Sequence, residues 1–359
     1  MAIKKYDFPI DLVYLWVDGN DPCWLEKNKH YLHRSILDNK NANHVSRFSD
    51  NDELKYSLRS VEKYAPWINQ IYIVTDNQVP KWLDTRNRKI KIIDHTTIFQ
   101  KDGELPNFSS CAIEWLIYRI PSLSEHFLYF NDDIFLWSKV YPWDFFTVEG
   151  KAKFPLVKKM SNNSLENIEN WRISRINAKK ILCEEYKVQF PYEVIHTARP
   201  FVKKAFEQGT VAFNKYFQST VSNRFRSNII YSNQKTKGYD ASSLELISCY
   251  MLKNDYAILK ELRAYRITQN CTLWYDSEPK TFSLVTNKAL RLLRLLTKKA
   301  YFREVSLGGG AFKRKLLCFK FYKPKHICLN DNEHADEESR LLMQKFLEKY
   351  FPEKSRYEK

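Results

Sequence analysis

The stretch that most constrains the fold is residues 128–133, Leu-Tyr-Phe-Asn-Asp-Asp, where an apolar run typical of a strand ends in two adjacent carboxylates. Open α/β folds bind their ligands at the carboxyl ends of strands, so the pattern places Asp132 and Asp133 at a binding edge. Two neighbouring carboxylates repel each other and any phosphate unless a hard divalent cation lies between them. The stretch therefore predicts a Mg²⁺ or Mn²⁺ site for a nucleotide diphosphate. A solvated turn after an edge strand is the alternative.

Strand-like and helix-like segments alternate through the first 150 residues. The predicted strands are residues 11–17, 71–75 and 90–93, and the predicted helices begin near Glu53 and near Ser110. Such alternation predicts a mostly parallel sheet covered by helices, the GT-A/Rossmann-like α/β architecture of nucleotide-sugar binding domains. No Gly-x-Gly-x-x-Gly or Walker sequence is present, which disfavours dinucleotide binding and P-loop chemistry.

Composition is that of a globular protein whose seven cysteines are scattered. Of the 359 residues, 44% are hydrophobic, which is ample for a packed core. The cysteines never form a Cys-x-x-Cys pair, which argues against a disulfide framework and a zinc site and favours a reducing compartment. No stretch has the length of a signal peptide or membrane span. We therefore expect a cytoplasmic location, with peripheral contact on the inner face of the membrane as an option.

Much of the net charge of +16 comes from one block. Residues 288–325 contain twelve Lys or Arg residues and a single acid, Glu304. Within it, residues 288–299 form a predicted helix with basic and leucine-rich sides, suited to anionic lipid or a polyanion. An ordinary surface helix with a solvated basic face explains the pattern equally well. No nucleic-acid binding motif accompanies the charge, so we expect no nucleic-acid partner.

Several segments resemble the signature regions of the Stealth family, which contains bacterial capsule polymerases and the animal lysosomal-enzyme N-acetylglucosamine-1-phosphotransferase. The first two regions resemble residues 14–22 (Tyr-Leu-Trp-Val-Asp-Gly-Asn-Asp-Pro), 47–60, 105–110, 112–114 and 130–133. The third region resembles residues 196–200 and 224–227, and the fourth resembles 328–332 and 351–358. Animal members carry a second histidine three residues after the first in the third region, and here that position is Arg199. A role of that second histidine therefore does not transfer to this chain.

The resemblance implies a reaction and its participants. The reaction is transfer of a hexose 1-phosphate, of N-acetylhexosamine type, from a UDP-sugar to an acceptor sugar hydroxyl, with release of UMP. The product is a phosphodiester-linked capsular polysaccharide, so the acceptor is a growing anionic oligosaccharide. Capsule export machinery or the anionic membrane is a further partner that the basic block would suit.

The resemblance also implies roles for particular residues. Asp132 and Asp133 would hold the cation, Arg226 would bind phosphate, and His196 or one of the aspartates would accept the proton of the acceptor. The expected substrate-binding residues are Trp16, Asp18, Gly19, Asn20, Asp21, Arg47, Asn51, Arg59, Asn107, Ser109, Arg199, Asn330 and Asp331. Each has a structural alternative: Trp16 as core, Arg47 and Arg59 as ion-paired surface residues, and residues 330–331 as an Asx turn.

The expected organisation is a single catalytic domain over residues 1–359. Its parts are a nucleotide-sugar binding half (1–150), a region with His196 and Arg226 (151–240), a helical basic insertion (241–320) and a C-terminal segment that completes the site (321–359). Two other functions stay open at this point. One is a GT-A glycosyltransferase that releases UDP, and the other is a basic polyanion-binding protein.

Overall fold

The computed structural model describes residues 6–32, 48, 50–158, 172–234, 237–268, 271–276, 300–307, 312–321, 323–331 and 335–359. The strands are β1 (Ile10–Leu15), β2 (Ile71–Thr75), β3 (Ile90–Asp94), β4 (His126–Asn131), β5 (Ile134–Leu136), β6 (Ala152–Lys158), β7 (Tyr192–Val194), β8 (Arg199–Val202), β9 (Ala257–Thr268), β10 (Cys271–Asp276), β11 (Phe302–Ser306) and β12 (His326–Asn330).

Helices of very different length accompany these strands. They are α1 (Pro22–Leu32), α2 (Glu53–Tyr64), α3 (His95–Phe99), α4 (Ser110–Glu114), α5 (Ile173–Glu184), α6 (Lys203–Ala212), α7 (Asn214–Val221), α8 (Ser243–Lys253), α9 (Phe312–Phe321) and α10 (Glu337–Tyr350), with 3-10 turns at Ile117–Arg119 and Pro142–Asp144. Within the described part of the chain, no helix has the length and apolarity needed to cross a bilayer.

Two sheets share the described strands. The first has the order β3-β2-β1-β4-β8, in which β3 to β4 run parallel and β8 is antiparallel to β4. The second has the order β5-β12-β11-β10-β9-β6-β7 and mixes parallel with antiparallel pairs. The chain passes from the first sheet to the second through the turn at residues 132–133, between β4 and β5. The two carboxylates therefore lie where the two sheets meet.

Two large apolar clusters are buried, of which the first spans both sheets and the second packs on the second sheet. In the first, Leu12 and Phe127 of neighbouring strands are fully buried with Leu58 of α2 and Trp115. In the second, Trp137 stacks on Phe346 of α10 at 5.4 Å between ring centroids. Burial of a large apolar side chain contributes about 1.5–3 kcal/mol, so both cores hold their strand ends in place.

The α/β class and the mostly parallel first sheet are confirmed. The predicted strands at 71–75 and 90–93 coincide with β2 and β3, and the strand predicted at 11–17 is β1. The helix predicted from Ser110 to Ile120 is interrupted, since α4 ends at Glu114 and a 3-10 turn follows. Ile113, Leu116, Ile117 and Ile120 are buried all the same.

The region expected as a helical basic insertion needs a correction. Residues 241–320 contain α8 and α9, but their described part also supplies β9, β10 and β11 to the second sheet. Residues 257–268 and 271–276 pair as antiparallel strands. Their backbone N–H and C=O groups therefore form hydrogen bonds between strands instead of within a helix. The basic helix predicted at 288–299 lies outside the described residues.

Candidate functional site

The turn between β4 and β5 presents two carboxylates at the carboxyl end of the first sheet. The backbone N–H of Asp133 donates to Oδ1 of Asp132 at 3.1 Å. The carbonyl of Asp133 accepts from the N–H of Leu329 on β12 at 3.1 Å. The turn is thereby held by both sheets, and the side chain of Asp133 stays 16% exposed.

Asp133 is the centre of a set of side chains that come from distant parts of the chain. Nε2 of His196 lies 2.8 and 3.1 Å from the two carboxylate oxygens, and Sγ of Cys328 lies 3.2 Å from Oδ2. Burial acts to raise the pKa of Asp133, but the charge of His196 and the hydrogen bonds from His196 and Cys328 bring it below its usual value. Asp133 is therefore an ionised carboxylate that orients the imidazole of His196.

Further carboxylates surround Asp132. Burial, followed by the charges of Asp133, Glu53 and Asp50, raises the pKa of Asp132 well above its usual value. Burial also raises the pKa of Glu53 to about 8 and that of Asp50 to about 6, with repulsion from neighbouring acids adding to both. Among the described residues, none of Asp50, Glu53 and Asp132 has a Lys or Arg partner within ion-pair distance.

Asp132 forms an acid group with Glu53 and Asp50, and this group suits a hard divalent cation. Its donor atoms are carboxylate oxygens, the ligands that Mg²⁺ and Mn²⁺ prefer. Among the described residues, Arg340 is near enough to feel the charge of Glu53 but binds Asp331. Asp132 and Asp133 were predicted from the sequence as the metal ligands. The structure adds Glu53 and Asp50 as neighbours that such a cation would also stabilise.

The C-terminal segment reaches the same acid group. Asn51 donates from Nδ2 to Oε1 of Glu53 at 2.8 Å and to Oδ2 of Asp331 at 3.3 Å. Asp331 follows Asn330 at the end of β12 and accepts from Arg340 at 2.8 and 3.2 Å. The structure thus brings Asn51 and Asp331 together across 280 residues of sequence.

The buried Arg199 lies near enough to Asp133 to help lower the pKa of that carboxylate. Arg199 is 3% exposed, donates to the carbonyl of Ile195 at 3.3 and 3.1 Å, and has its guanidinium 5.7 Å from the ring centroid of Tyr129. The hydroxyl of Tyr129 donates to Glu114 at 3.0 Å. Burial raises the pKa of Glu114, and the charges of Arg199 and Arg226 oppose that rise. These groups place further charge beside the turn at Asp132 and Asp133, which we call the acid turn.

Arg226 is the predicted phosphate-binding residue. It is half-buried, and its Nη2 donates to the hydroxyl of Ser110, a neutral partner. Among the described residues, no carboxylate lies within ion-pair distance of its guanidinium, although Glu114 and Asp240 are near enough to feel its charge. Its capacity for charged hydrogen bonds is therefore not used up by a carboxylate of the described chain.

The loop after β1 is held by contacts within the protein. Trp16 is buried at the end of the strand, and Asp18 exchanges two hydrogen bonds with the side chain of Gln78, at 3.0 and 2.9 Å. Asp21 accepts from the N–H of Trp24 and so caps α1, while the N–H of exposed Asn20 donates to Asp18. These side chains stand at the carboxyl edge of the first sheet, and their binding roles stay predictions.

Gly19, expected among the substrate-binding residues, makes a close contact within the chain. A Cβ at residue 19 would lie 2.3 Å from the carbonyl oxygen of Phe48, and the N–H of Gly19 donates to that oxygen at 2.6 Å. The close approach that glycine permits here is to another segment of the chain.

Three other predicted substrate contacts are engaged in the fold. Arg59 binds Glu358 through two hydrogen bonds of 2.8 and 2.6 Å and also donates to the carbonyl of Phe351. The amide of Asn107, 1% exposed, bonds to the backbone of Glu104, Ser109 and Asn223. Ser109 is fully buried. These groups are paired or buried within the fold, and their substrate-binding roles stay predictions. Arg47 lies outside the described residues.

The Arg59–Glu358 pair predicts a large effect on stability. The two side chains are 10% and 3% exposed, so removing one leaves the other charge desolvated. We expect Arg59→Met to lower the free energy of unfolding by about 3–5 kcal/mol, measured by urea denaturation. The control is Arg86→Met, which breaks an exposed pair with Asp84 and should cost less than about 1 kcal/mol. A variant of Arg59 with unchanged stability and impaired catalysis would support the substrate-binding role.

Sequence reasoning missed four residues of the site. Cys328, Glu53 and Asp50 fall inside the segments that resemble signature regions, but no role was assigned to them there. Glu53 was interpreted only as part of a helix start, and α2 does begin at Glu53. Glu114 also lies in such a segment. These four residues could have been found in the sequence, because each is ionisable and lies in a motif that also contains predicted site residues.

Comparison with known proteins gives three matches to models of Stealth protein regions. Conserved region 1 matches residues 8–35, conserved region 2 matches residues 47–154, and conserved region 4 matches residues 321–359. These spans include β1, the acid turn and β12, and so contain Asp132, Asp133 and Cys328. The resemblance of residues 196–200 and 224–227 to a third region stays a prediction.

Curated relatives match along the chain. An exopolysaccharide phosphotransferase of Streptomyces coelicolor is 28% identical over the whole chain, which spans 53% of that protein. A capsular polysaccharide phosphotransferase of Haemophilus influenzae is 39% identical over 63% of the chain and 63% of its own length. An exopolysaccharide phosphotransferase of Lactiplantibacillus plantarum is 36% identical over 61% of the chain and 72% of its own length. The chain thus spans between about half and two thirds of the first two relatives.

Proposed function

Because this chain belongs to the Stealth family, we propose that it transfers a sugar 1-phosphate from a UDP-sugar to a hydroxyl of a growing polysaccharide, with release of UMP. The relatives named as capsular or exopolysaccharide phosphotransferases support phosphate-linked transfer in polysaccharide synthesis. The observation that carries the proposal is the hydrogen bond between His196 and Asp133 at the edge of an acid group. An N-acetylhexosamine donor and a capsular acceptor complete the proposal.

The step asks the protein to position two reactants and to accept one proton. The acceptor oxygen attacks the phosphorus attached to the sugar, and a new P–O bond forms there. The bond from that phosphorus to the bridging oxygen breaks, and the oxygen leaves with UMP. Because the bond between the anomeric carbon and its oxygen stays intact, the anomeric configuration is retained. Such transfer depends on positioning and charge stabilisation more than on covalent work by the protein.

His196 is the general base in this proposal. With the Nε2 proton donated to Asp133, the lone pair of Nδ1 is left to accept the acceptor's proton, and the ionised carboxylate stabilises the imidazolium that forms. This division of labour follows from the geometry, since both oxygens of Asp133 lie within 3.1 Å of Nε2. Asp133 is then a positioning group for the base as well as a charge at the cation site.

Asp132 and Asp133 would hold Mg²⁺ or Mn²⁺, which would neutralise the pyrophosphate of the donor when bound. Arg226 would bind the phosphoryl oxygens, and the buried positive charge of Arg199 would add to the electrostatic potential at the site. Trp16 and the loop at residues 18–21 would border the uridine, and Asn51 with Asp331 would close the far side. The location of Trp16, the loop at residues 18–21 and the acid turn after the carboxyl ends of the neighbouring strands β1 and β4 supports the arrangement.

The nucleotide product tests the proposal. The purified chain is incubated with a panel of UDP-sugars, Mg²⁺ and a short capsular oligosaccharide, and the nucleotides are separated by chromatography. We expect UMP to form in an amount equal to the phosphodiester made, and we expect EDTA to abolish it. UDP would indicate a GT-A glycosyltransferase, and the absence of both nucleotides would leave a polyanion-binding protein. Full activity in EDTA would overturn the metal assignment.

A further inference from the structure

We infer that Asp133, His196 and Cys328 form a binding site for a borderline transition-metal ion, of which Zn²⁺ is the type, and that its occupancy blocks transfer. The second half of this inference rests on the proposed function, whereas the first half does not. The cysteine spacing in the sequence argued against a zinc site. The structure shows why cysteine spacing was uninformative. In the sequence, His196 lies 63 positions and Cys328 lies 195 positions after Asp133.

The geometry of the three donor atoms is close to that of a metal site. A carboxylate oxygen of Asp133, Nε2 of His196 and Sγ of Cys328 all lie within 4.8 Å of one another. Tetrahedral zinc with bonds of about 2.0–2.3 Å places its ligand atoms roughly 3.4–3.7 Å apart. The observed separations of 2.8 and 3.2 Å need only a small outward movement to admit the ion. Three protein ligands leave the fourth position for water.

The ligand chemistry selects the ion. Imidazole and thiolate sulfur favour zinc and related ions, whereas Mg²⁺ prefers oxygen donors and binds sulfur poorly. Asp132, with Glu53 and Asp50 near enough to feel its charge, supplies oxygen donors alone. The same turn therefore borders two donor sets of different hardness, with Asp133 common to both.

Contacts with the single strand β12 position all three ligands. Cys328 lies on β12 opposite Ile134, the residue after Asp133, and the carbonyl of Asp133 accepts from Leu329 of the same strand. His196 precedes Thr197, whose hydroxyl lies 3.0 Å from Nδ1 of His326, the first residue of β12. Ligands fixed by a rigid element pay little entropy on binding. Access is open, because Asp133 and His196 are partly exposed above the buried thiol.

A metal ion bound at this site prevents His196 from acting as the proposed general base. The new Zn–S bond releases the thiol proton to solvent, and Nε2 binds the ion through its lone pair with the ring proton on Nδ1. Nδ1 then has no lone pair for the acceptor's proton, and Asp133 no longer accepts from Nε2. The transfer therefore stops while the ion is bound.

Cobalt spectroscopy tests the site without any activity assay. Co²⁺ added to the metal-free protein should give a thiolate-to-cobalt charge-transfer band, and Zn²⁺ should abolish it in equimolar amount. Cys328→Ser should lose the band and bind Zn²⁺ at least about a hundredfold more weakly in competition with a chelator dye. The matched control is Cys183→Ser, which removes an exposed thiol outside the site and should keep the band. A band that survives in Cys328→Ser, or no band in the parent protein, would overturn the site.

The inhibitory half has a separate readout. At fixed Mg²⁺, Zn²⁺ should reduce UMP release by the parent protein, and each variant is compared with its own uninhibited rate. Cys328→Ser should need at least about tenfold more Zn²⁺ for half inhibition. Equal sensitivity of the two proteins would reject the inhibitory role. A protein that gives the cobalt band but releases no UMP would contradict the proposed function and leave the metal site standing.

Discussion

Asp133→Asn is expected to lower kcat by about 10²–10⁴-fold while the protein stays folded. The amide has the size of the carboxylate, and the backbone contact with Leu329 does not involve the side chain. What is lost is the negative charge that orients His196 and stabilises its protonated form. The replacement also removes one carboxylate from the proposed cation site. The measurement is steady-state release of UMP, with circular dichroism and urea denaturation to establish folding.

Two comparisons make this prediction specific. Asp144→Asn changes a buried carboxylate that binds Lys325 and the N–H of Tyr141, away from the acid turn, and should alter stability but not kcat. His196→Gln should lose a similar factor of activity, and the double variant with Asp133→Asn should lose no more than the worse single variant, because the two residues act as a unit. Multiplicative losses would show that they act independently, and the orienting role would be rejected.

Arg226→Ala is expected to lower kcat by at least about a hundredfold, because a guanidinium that binds the phosphoryl group stabilises charge in the transition state. The structure favours this role, since the partner found for its Nη2 is the neutral hydroxyl of Ser110. Arg226→Lys should recover part of the activity, as a single cation cannot reproduce bidentate contacts. The measurement is kcat with saturating donor, together with KM for the donor.

Arg224 provides the matched control for Arg226. It lies two residues earlier, but its guanidinium binds Glu104 at 2.7 Å and the carbonyl of Pro106, and it stacks on Tyr31. Arg224→Ala should therefore reduce stability with little change in kcat. Equal catalytic losses in both variants would mean that the segment around residues 224–227 acts structurally, and the phosphate role of Arg226 would fall.

Local pattern in the sequence predicted the parts of the fold that depend on neighbouring residues. The strands β1, β2 and β3 and the helix α2 follow from the spacing of apolar side chains over a few residues, and they were found with small shifts at their ends. The acid pair at the end of β4 follows in the same way, because a short apolar run bounded by polar residues predicts a buried strand that ends there. The α/β class then follows from the order of these elements.

Only the tertiary structure decided which side chains meet. His196 and Cys328 converge on Asp133 because β8 and β12 bring distant segments beside β4 and β5. Glu53 joins Asp132 because α2, which begins at Glu53, packs on β5. The same folding pairs Arg59 with Glu358, 299 residues away. Periodicity reports which face of a strand or helix is buried, but it does not report which strand becomes its neighbour. That choice depends on the packing of whole sheets, so the sequence determined the elements and the acid turn, and the structure determined that His196, Cys328 and Glu53 meet there.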